Sequence, residues 1–387
     1  MECYLDNAAT TRTAKEVADE VMKMMTIDFG NPSSLHTKGF EAEQYVKAAR
    51  KTIADTLSVK DSEILFTSGG TESNNMALIG TALAKKRMGK HIITTSFEHA
   101  SVTSPLLFLE ENGYEISFCP VDAMGHVKED KLLDMVRPDT ILVSIMYVNN
   151  EVGAVQDIKR LSRLVKEKNP DITFHSDCIQ SYGKYVIKPK EEGIDLLSVS
   201  GHKINGPKGT GFLYIKSGSK IKPIIYGGGQ QKGMRSGTDN VPGIVGLAKA
   251  AQLVYENHSE KVAKMYEIKE HFAKRLTSEI EGVSVNCVTQ DIRECAPHVL
   301  SVSIEGVRAE VLLHSLEEKE VYVSSGSACS SNHPGTSGTL VAIGLDKKLL
   351  DSTVRFSFSF QTTMEEVDYA VEAVKEIVPK LRRHMRR

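Results

Sequence analysis

Hydrophobic positions along this chain follow two rhythms that alternate through most of its length. From Phe40 to Leu57, apolar residues recur at Ala42, Tyr45, Val46, Ala49, Ile53 and Leu57 with lysines and glutamates between them, which predicts an amphipathic helix. Residues 63–67, 91–95, 115–119, 140–148, 172–177, 194–199 and 212–215 instead form short runs rich in Ile, Leu, Val and Phe, which predict strands. Helical patterns beginning near Ala14, after Gly69-Gly70, and over 102–111 and 158–168 fall between the other elements. Strand and helix in repeated alternation predict an α/β fold with a mostly parallel sheet covered by helices on both faces. Residues 242–280 read as one long helix leading away from that sheet. The remainder changes character, with strands at 298–304, 321–324 and 353–359 and a helix at 309–318. A last helix opens on the capping-box pair Thr363 and Glu366 and carries Val367, Ala370, Val371, Val374 and Ile377 on one stripe. This part predicts a smaller α+β domain.

At 387 residues and 41% hydrophobic content, the chain can bury a sizeable core and form two domains. Its net charge of -2 gives no overall basic field, so neither nucleic acid nor an anionic membrane is the expected partner. Six cysteines, at 3, 119, 178, 287, 295 and 329, show no zinc-ligand spacing and are too sparse for a disulfide scaffold, which points to a reducing compartment and no metal. Residues 1–6 lack a positively charged leader pattern, and the most apolar run is too short to span a bilayer; a cytoplasmic location is expected.

The candidate chemistry sits where predicted strands end. Ser200-Gly201-His202-Lys203 follows one strand and precedes another, inside a Gly-rich bend. A lysine in a tight, partly desolvated turn is a candidate Schiff-base lysine, the alternative being a plain loop lysine. Asp177 ends an earlier strand 26 residues before it, an interval that suits a strand, a crossover and a second parallel strand. Both side chains then emerge at the carboxyl ends of strands, where open α/β sheets bind ligands. Pyridoxal 5'-phosphate (PLP) needs such a pair, an amine for its aldehyde and a carboxylate for its ring nitrogen. The turn Ser68-Gly69-Gly70-Thr71 leads from a strand into a helix and fits a phosphate, or is an ordinary helix start.

Taken together, these motifs resemble the cysteine desulfurases, the NifS/IscS-like branch of the class V, fold type I PLP-dependent aminotransferases. Carrying the likeness are Tyr-Leu-Asp-Asn-Ala-Ala-Thr-Thr at 4–11, Gly-Asn-Pro-Ser-Ser-Leu-His at 30–36, Thr-Ser-Gly-Gly-Thr-Glu-Ser-Asn-Asn at 67–75 and Val-Asn-Asn-Glu-Val-Gly at 148–153. Gly-His-Lys at 201–203, Met-Arg-Ser-Gly-Thr at 234–238 and Ser-Ser-Gly-Ser-Ala-Cys at 324–329 complete it. The resemblance implies a large PLP-binding domain over 13–257, with 1–12 and 258–387 forming the small domain. It implies that Lys203 holds PLP covalently, that Asp177 pairs with the ring nitrogen, and that Gln180 and Asn150 address the ring hydroxyl side. Thr71, Ser200 and His202 would grip the phosphate, joined by Thr238 of a second subunit, so a homodimer is implied. His99 would stack on the ring and help move protons, and Arg355 would clamp the carboxylate of L-cysteine. Asn150 would also lie against the substrate.

Cys329 separates this branch from ordinary aminotransferases. Its surroundings, from Val323 to Gly338, are too polar and Gly-rich to bury a structural thiol. By resemblance it would take the sulfur of L-cysteine as a persulfide and pass it to an acceptor protein, an iron-sulfur scaffold or a tRNA-thiolating enzyme. Cys178, directly after the expected ring-nitrogen carboxylate, departs from the small apolar residue usual there and reads as packing. Residues 331–340 also depart from the commoner Ser/Glu/Pro-rich version, which leaves the acceptor open. The basic stretch from Lys380 to Arg387 reads as a solvated helix end. Rival readings are a selenocysteine lyase on the same scaffold and a non-catalytic partner protein with this fold.

Overall fold

A computed structural model describes residues 1–288, 291–325 and 337–385. In chain order, strand β1 (Cys3–Tyr4) is followed by helices α1 (Lys15–Thr26) and α2 (Thr37–Leu57), strand β2 (Ile64–Thr67) and helix α3 (Gly70–Lys85). Next come β3 (His91–Thr95), α4 (Ala100–Glu111), β4 (Glu115–Cys119), α5 (Glu129–Met135), β5 (Thr140–Ser144), α6 (Ile158–Lys168), β6 (Thr173–Asp177), β7 (Leu196–Ser200) and β8 (Gly211–Ile215). Helices α7 (Val241–Tyr255) and α8 (His258–Glu279) lead to β9 (Val283–Val285), β10 (Val299–Ile304), α9 (Ala309–Glu317), β11 (Val321–Tyr322) and β12 (Ser324–Ser325). The chain then forms α10 (Gly338–Ala342), α11 (Lys347–Leu350), β13 (Thr353–Ser357) and α12 (Met364–Met385).

Among the described residues, β2, β8, β7, β6, β5, β3 and β4 pair in that order to make the main sheet. All neighbours from β7 to β4 are parallel, and β8 is antiparallel to both β7 and β2. The central strands are buried along their full length, which is why they read as continuous apolar runs. The period of two then sorts side chains between two cores. Ile64, Phe66, Phe212, Tyr214, Leu197 and Val199 join the helices α1, α2, α6 and α7. Leu65, Leu213 and Leu196, one residue out of step, meet Met76 and Ala77 of α3. The α/β prediction with helices on both faces therefore holds.

The second sheet, β12-β13-β10-β9, is antiparallel throughout. Its core joins Leu300, Val302, Val354 and Phe356 to residues of α8, α9 and α12, with Phe272 meeting the Phe356 ring edge-on at 4.8 Å. Cys3 and Leu5 are buried in this core rather than against the main sheet. The capping box is formed: the Thr363 N–H donates to Glu366 Oε2 at 2.7 Å, and the Glu366 N–H donates to Thr363 Oγ1 at 3.3 Å. No helix among the described residues is long and apolar enough to cross a membrane.

Three predicted elements differ from the structure. The long helix over 242–280 is two helices, broken at Asn257, which adopts left-handed φ/ψ of 50° and 37°. The strand over 140–148 stops at Ser144; beyond it Ile145 and Tyr147 donate to His175 and Asp177 carbonyls while the chain turns toward the site. The run 321–324 is split, because β11 pairs with β1 and β12 pairs with β13.

Candidate active site

At the carboxyl edge of the main sheet, β2 leads into α3 through Gly69-Gly70, β3 into α4 through Phe97-Glu98-His99, and β6 and β7 end on Asp177 and Ser200. A cavity of about 320 Å³ opens there. Thr71, His99, Asn150, Asp177, Gln180, Ser200, His202, Lys203 and Arg355 all line it, so nine sequence-predicted residues from distant segments meet in one place. Thr238 does not; it is exposed on the 226–238 loop, which Arg235 ties to Glu72 at 2.8 Å. Cys329 lies outside the described residues. A wider groove of about 610 Å³ beside α6 is lined by charged residues and contains none of the predicted site residues.

The turn into α3 packs closely at Gly70, where a side chain would have to displace Ile179. A Cβ there would sit 2.1 Å from Ile179 Cδ1. Gly69 has φ of 148°, so the turn brings bare backbone and the first N–H groups of a helix, which lack intrahelical partners, to the cavity.

Asp177 is buried with both oxygens engaged: Oδ1 accepts from the Ile179 N–H at 2.9 Å and Oδ2 from Asn74 Nδ2 at 2.8 Å. Asn74 also donates to Ser101 Oγ at 2.9 Å, and its Oδ1 lacks a partner among the described residues. Burial raises the Asp177 pKa, opposed by those two donors and by His99 and Lys203. His99 is the N-cap of α4. Its Nδ1 accepts from the Ser101 N–H at 3.1 Å, so the neutral ring carries its proton on Nε2. Burial lowers its pKa; Asp177 opposes the shift, and Lys203 and Arg355 add to it.

Lys203 ends a single 3-10 turn after β7. Its Nζ donates to the Ala8 and Ala9 carbonyls at 2.6 and 2.7 Å. The N-terminal segment thus runs from the second core to the lysine, and the Thr11 N–H donates to the His202 carbonyl at 2.8 Å. His202 has its pKa pushed down to about 4 by burial and by Lys203, Lys208 and Lys184. Lys184 stands behind the turn, donates to the Lys203 carbonyl at 2.7 Å and has its pKa lowered to about 7 by burial, yet does not reach the main cavity.

Arg355, on β13, comes from the second sheet and is 4% exposed. Nη1 donates to the Asn150 carbonyl at 2.8 Å, Nη2 donates to Asp6 Oδ1 at 2.9 Å, and Nε has no partner among the described residues. One prong of the side-on fork is therefore bare and the other rests on an internal carboxylate. The described flanks of residues 326–336 are tied to the same wall: Ser324 pairs with Arg355, while Ser337 and Thr339 donate to Glu151, next to Asn150, at 2.5 and 3.0 Å.

Sequence reasoning did not pick out Asp6, Asn74, Ser101, Lys184 or His298. For Asn74 a signal existed, a polar side chain at a helix position that burial pattern gives to an apolar one. Asp6 lies in the 4–11 motif, but nothing local names its partner, which is 349 residues away.

The family model described as aminotransferase class-V matches residues 3–370. The chain belongs to the aminotransferase class-V family. This class-V member is 42% identical over 381 residues to the cysteine desulfurase IscS of Dictyoglomus turgidum, covering 98% of this chain and 95% of that protein. It is 44% identical over 379 residues to the putative cysteine desulfurase IscS 1 of Bacillus subtilis strain 168, covering 98% and 99%. A NifS-like protein of known structure superposes with a TM-score of 0.92 at 37% identity, over 98% of this chain and all (100%) of that one.

Proposed function

We propose that this class-V family member is a cysteine desulfurase that uses PLP to remove sulfur from L-cysteine, leaving L-alanine and a persulfide on Cys329. The observation that carries the reading is the meeting of the Lys203 amine, the Asp177 carboxylate, the His99 ring and the Arg355 guanidinium around one cavity. The residues present fit the cofactor. The α3 start with Thr71, Ser200 and His202 offers donors to a phosphate, Asp177 offers a carboxylate to a ring nitrogen, and Lys203 offers the amine for covalent attachment. PLP, when bound, would act as the electron sink for the pair released at the substrate Cα.

The protein's own groups do the rest. Arg355 has the fork for the substrate carboxylate, with Nε lacking a partner among the described residues and Nη2 shared with Asp6. Lys203, once released from the cofactor, would take the Cα proton, and the Ala8 and Ala9 carbonyls hold its amine beside the cavity. His99, neutral and with Nε2 bearing a proton, is suited to cover a ring and pass a proton. The Cys329 sulfur would bond to the substrate sulfur as the substrate C–S bond breaks. The electron pair of that bond stays with the three-carbon product, which takes up protons and leaves as L-alanine. One described flank of the Cys329 segment pairs with the strand that carries Arg355 and the other bonds Glu151, the neighbour of Asn150, which supports this role.

The same reading takes 13–257 as the PLP-binding domain and 1–12 with 258–387 as the small domain, supported by the burial of Cys3 and Leu5 in the second core. It includes a homodimer in which Thr238 reaches the partner's phosphate, a sulfur-accepting protein and a cytoplasmic location. The test compares alanine and persulfide yields from L-cysteine for wild type and Cys329→Ala. Loss of both in the variant is expected; undiminished alanine formation would refute the role of Cys329, and turnover of L-selenocysteine alone would favour a selenocysteine lyase.

A further inference from the structure

Behind Gln180, on the side away from the cavity, lies a histidine that the mechanism above does not use. His298 precedes β10 and is 2% exposed; its Nε2 lies 3.0 Å from Gln180 Oε1, and its Nδ1 is buried without a partner among the described residues. The other terminal atom of Gln180 lies 3.0 Å from the Ala8 carbonyl oxygen. A carbonyl can only accept, so that atom is the amide nitrogen and the atom facing His298 is the amide oxygen. The oxygen in turn can only accept, so His298 carries a proton on Nε2. Burial, together with Lys184, Lys269, Arg355 and Lys203, disfavours a second proton on the ring. Gln180 is left with one N–H uncommitted among the described residues, and its oxygen is held away by the imidazole.

We propose that His298 is a positioning residue that locks the Gln180 amide so that it faces the cavity as a hydrogen-bond donor and never as an acceptor. The ligand group this orientation selects is an anionic oxygen on the cofactor ring; a reversed amide would set a carbonyl against it. This inference rests on the PLP reading. It gives a role to a buried imidazole whose Nδ1 has no partner among the described residues, since an apolar residue there would leave the buried amide oxygen unpaired and the orientation resting on the Ala8 carbonyl alone.

The experiment uses the purified holoenzyme and reads the cofactor's visible absorption band against pH and its dissociation constant by dialysis. A donor on the ring oxygen withdraws negative charge that would otherwise hold the proton on the neighbouring nitrogen, so its loss raises the band's pH midpoint. His298→Phe, which keeps a ring but no nitrogen, is expected to raise the midpoint and weaken cofactor binding about tenfold, as is Gln180→Leu. The double variant should add little to either alone. His298→Gln, which can donate from a similar reach, should restore the wild-type midpoint. An unchanged midpoint and affinity in His298→Phe, with Gln180→Leu shifted, would overturn the proposal. An imidazole nitrogen NMR spectrum of wild-type holoenzyme is the second measurement: an Nε2-protonated His298 supports the lock, and an Nδ1-protonated one contradicts it. Wild-type protein that bound no PLP would defeat the functional reading itself, a distinguishable result.

Discussion

The two ends of the cavity are built differently. At the main sheet, the carboxylate and imidazole proposed to face a ring are held by hydrogen bonds inside the protein, Asp177 by Ile179 and Asn74, His99 by Ser101. At the second sheet, Arg355 has no partner for Nε among the described residues and rests Nη2 on Asp6. The first end suits a group that stays; the second suits a carboxylate that arrives and leaves every cycle. Fixed hydrogen bonds preorganise an end that need not reorganise during reaction, whereas an interim ion pair keeps a buried guanidinium neutralised until substrate replaces it.

The comparison is broken most severely by Lys203→Ala, which is expected to reduce alanine formation from L-cysteine by about 100-fold to 10,000-fold and to remove covalent cofactor attachment, read by visible absorption. Arg355→Lys should act on the other end alone, raising KM for L-cysteine about tenfold to a hundredfold with a smaller change in kcat, because a lysine cannot supply the fork. A smaller effect of opposite sign is expected from Asp6→Asn. With the competing charge removed, KM falls, by up to about fivefold on the scale of partly exposed ion pairs; a raised KM would mean that Asp6 aims Arg355 rather than holding its place.

Glu98→Gln should disturb turnover least and stability in a pH-dependent way. The Glu98 carboxyl accepts from Thr95 and the Met146 N–H on one oxygen, its other oxygen has no partner among the described residues, and burial pushes its pKa up to about 8 from 4.5. The folded protein then holds this proton through a window in which the unfolded chain has lost it, so Glu98 costs stability as pH rises from about 4.5 to 8. Urea midpoints of the Gln variant relative to wild type should climb across that window and level off above it.

Much of this arrangement was legible in the sequence because it follows from periodicity. Strands buried on both faces read as apolar runs, and parallel strands must deliver Asp177 and Lys203 to the same edge. What could not be read depends on single backbone angles or on distant contacts. The break between α7 and α8 rests on a left-handed Asn257 inside an otherwise continuous helical pattern. Asp6 meets Arg355, and His298 meets Gln180, only because the N-terminal segment and the second sheet close over the main one. No local pattern around any of these residues announces its partner.

The central claim is that the cofactor is carried by Lys203, and a neighbouring buried lysine makes the alternative concrete, since Lys184 has a pKa near the nucleophilic range at about 7. Borohydride reduction of the PLP-loaded enzyme followed by peptide mapping tests it directly. The pyridoxyl group is predicted on Lys203; its recovery on Lys184, or on no lysine at all, would contradict the account.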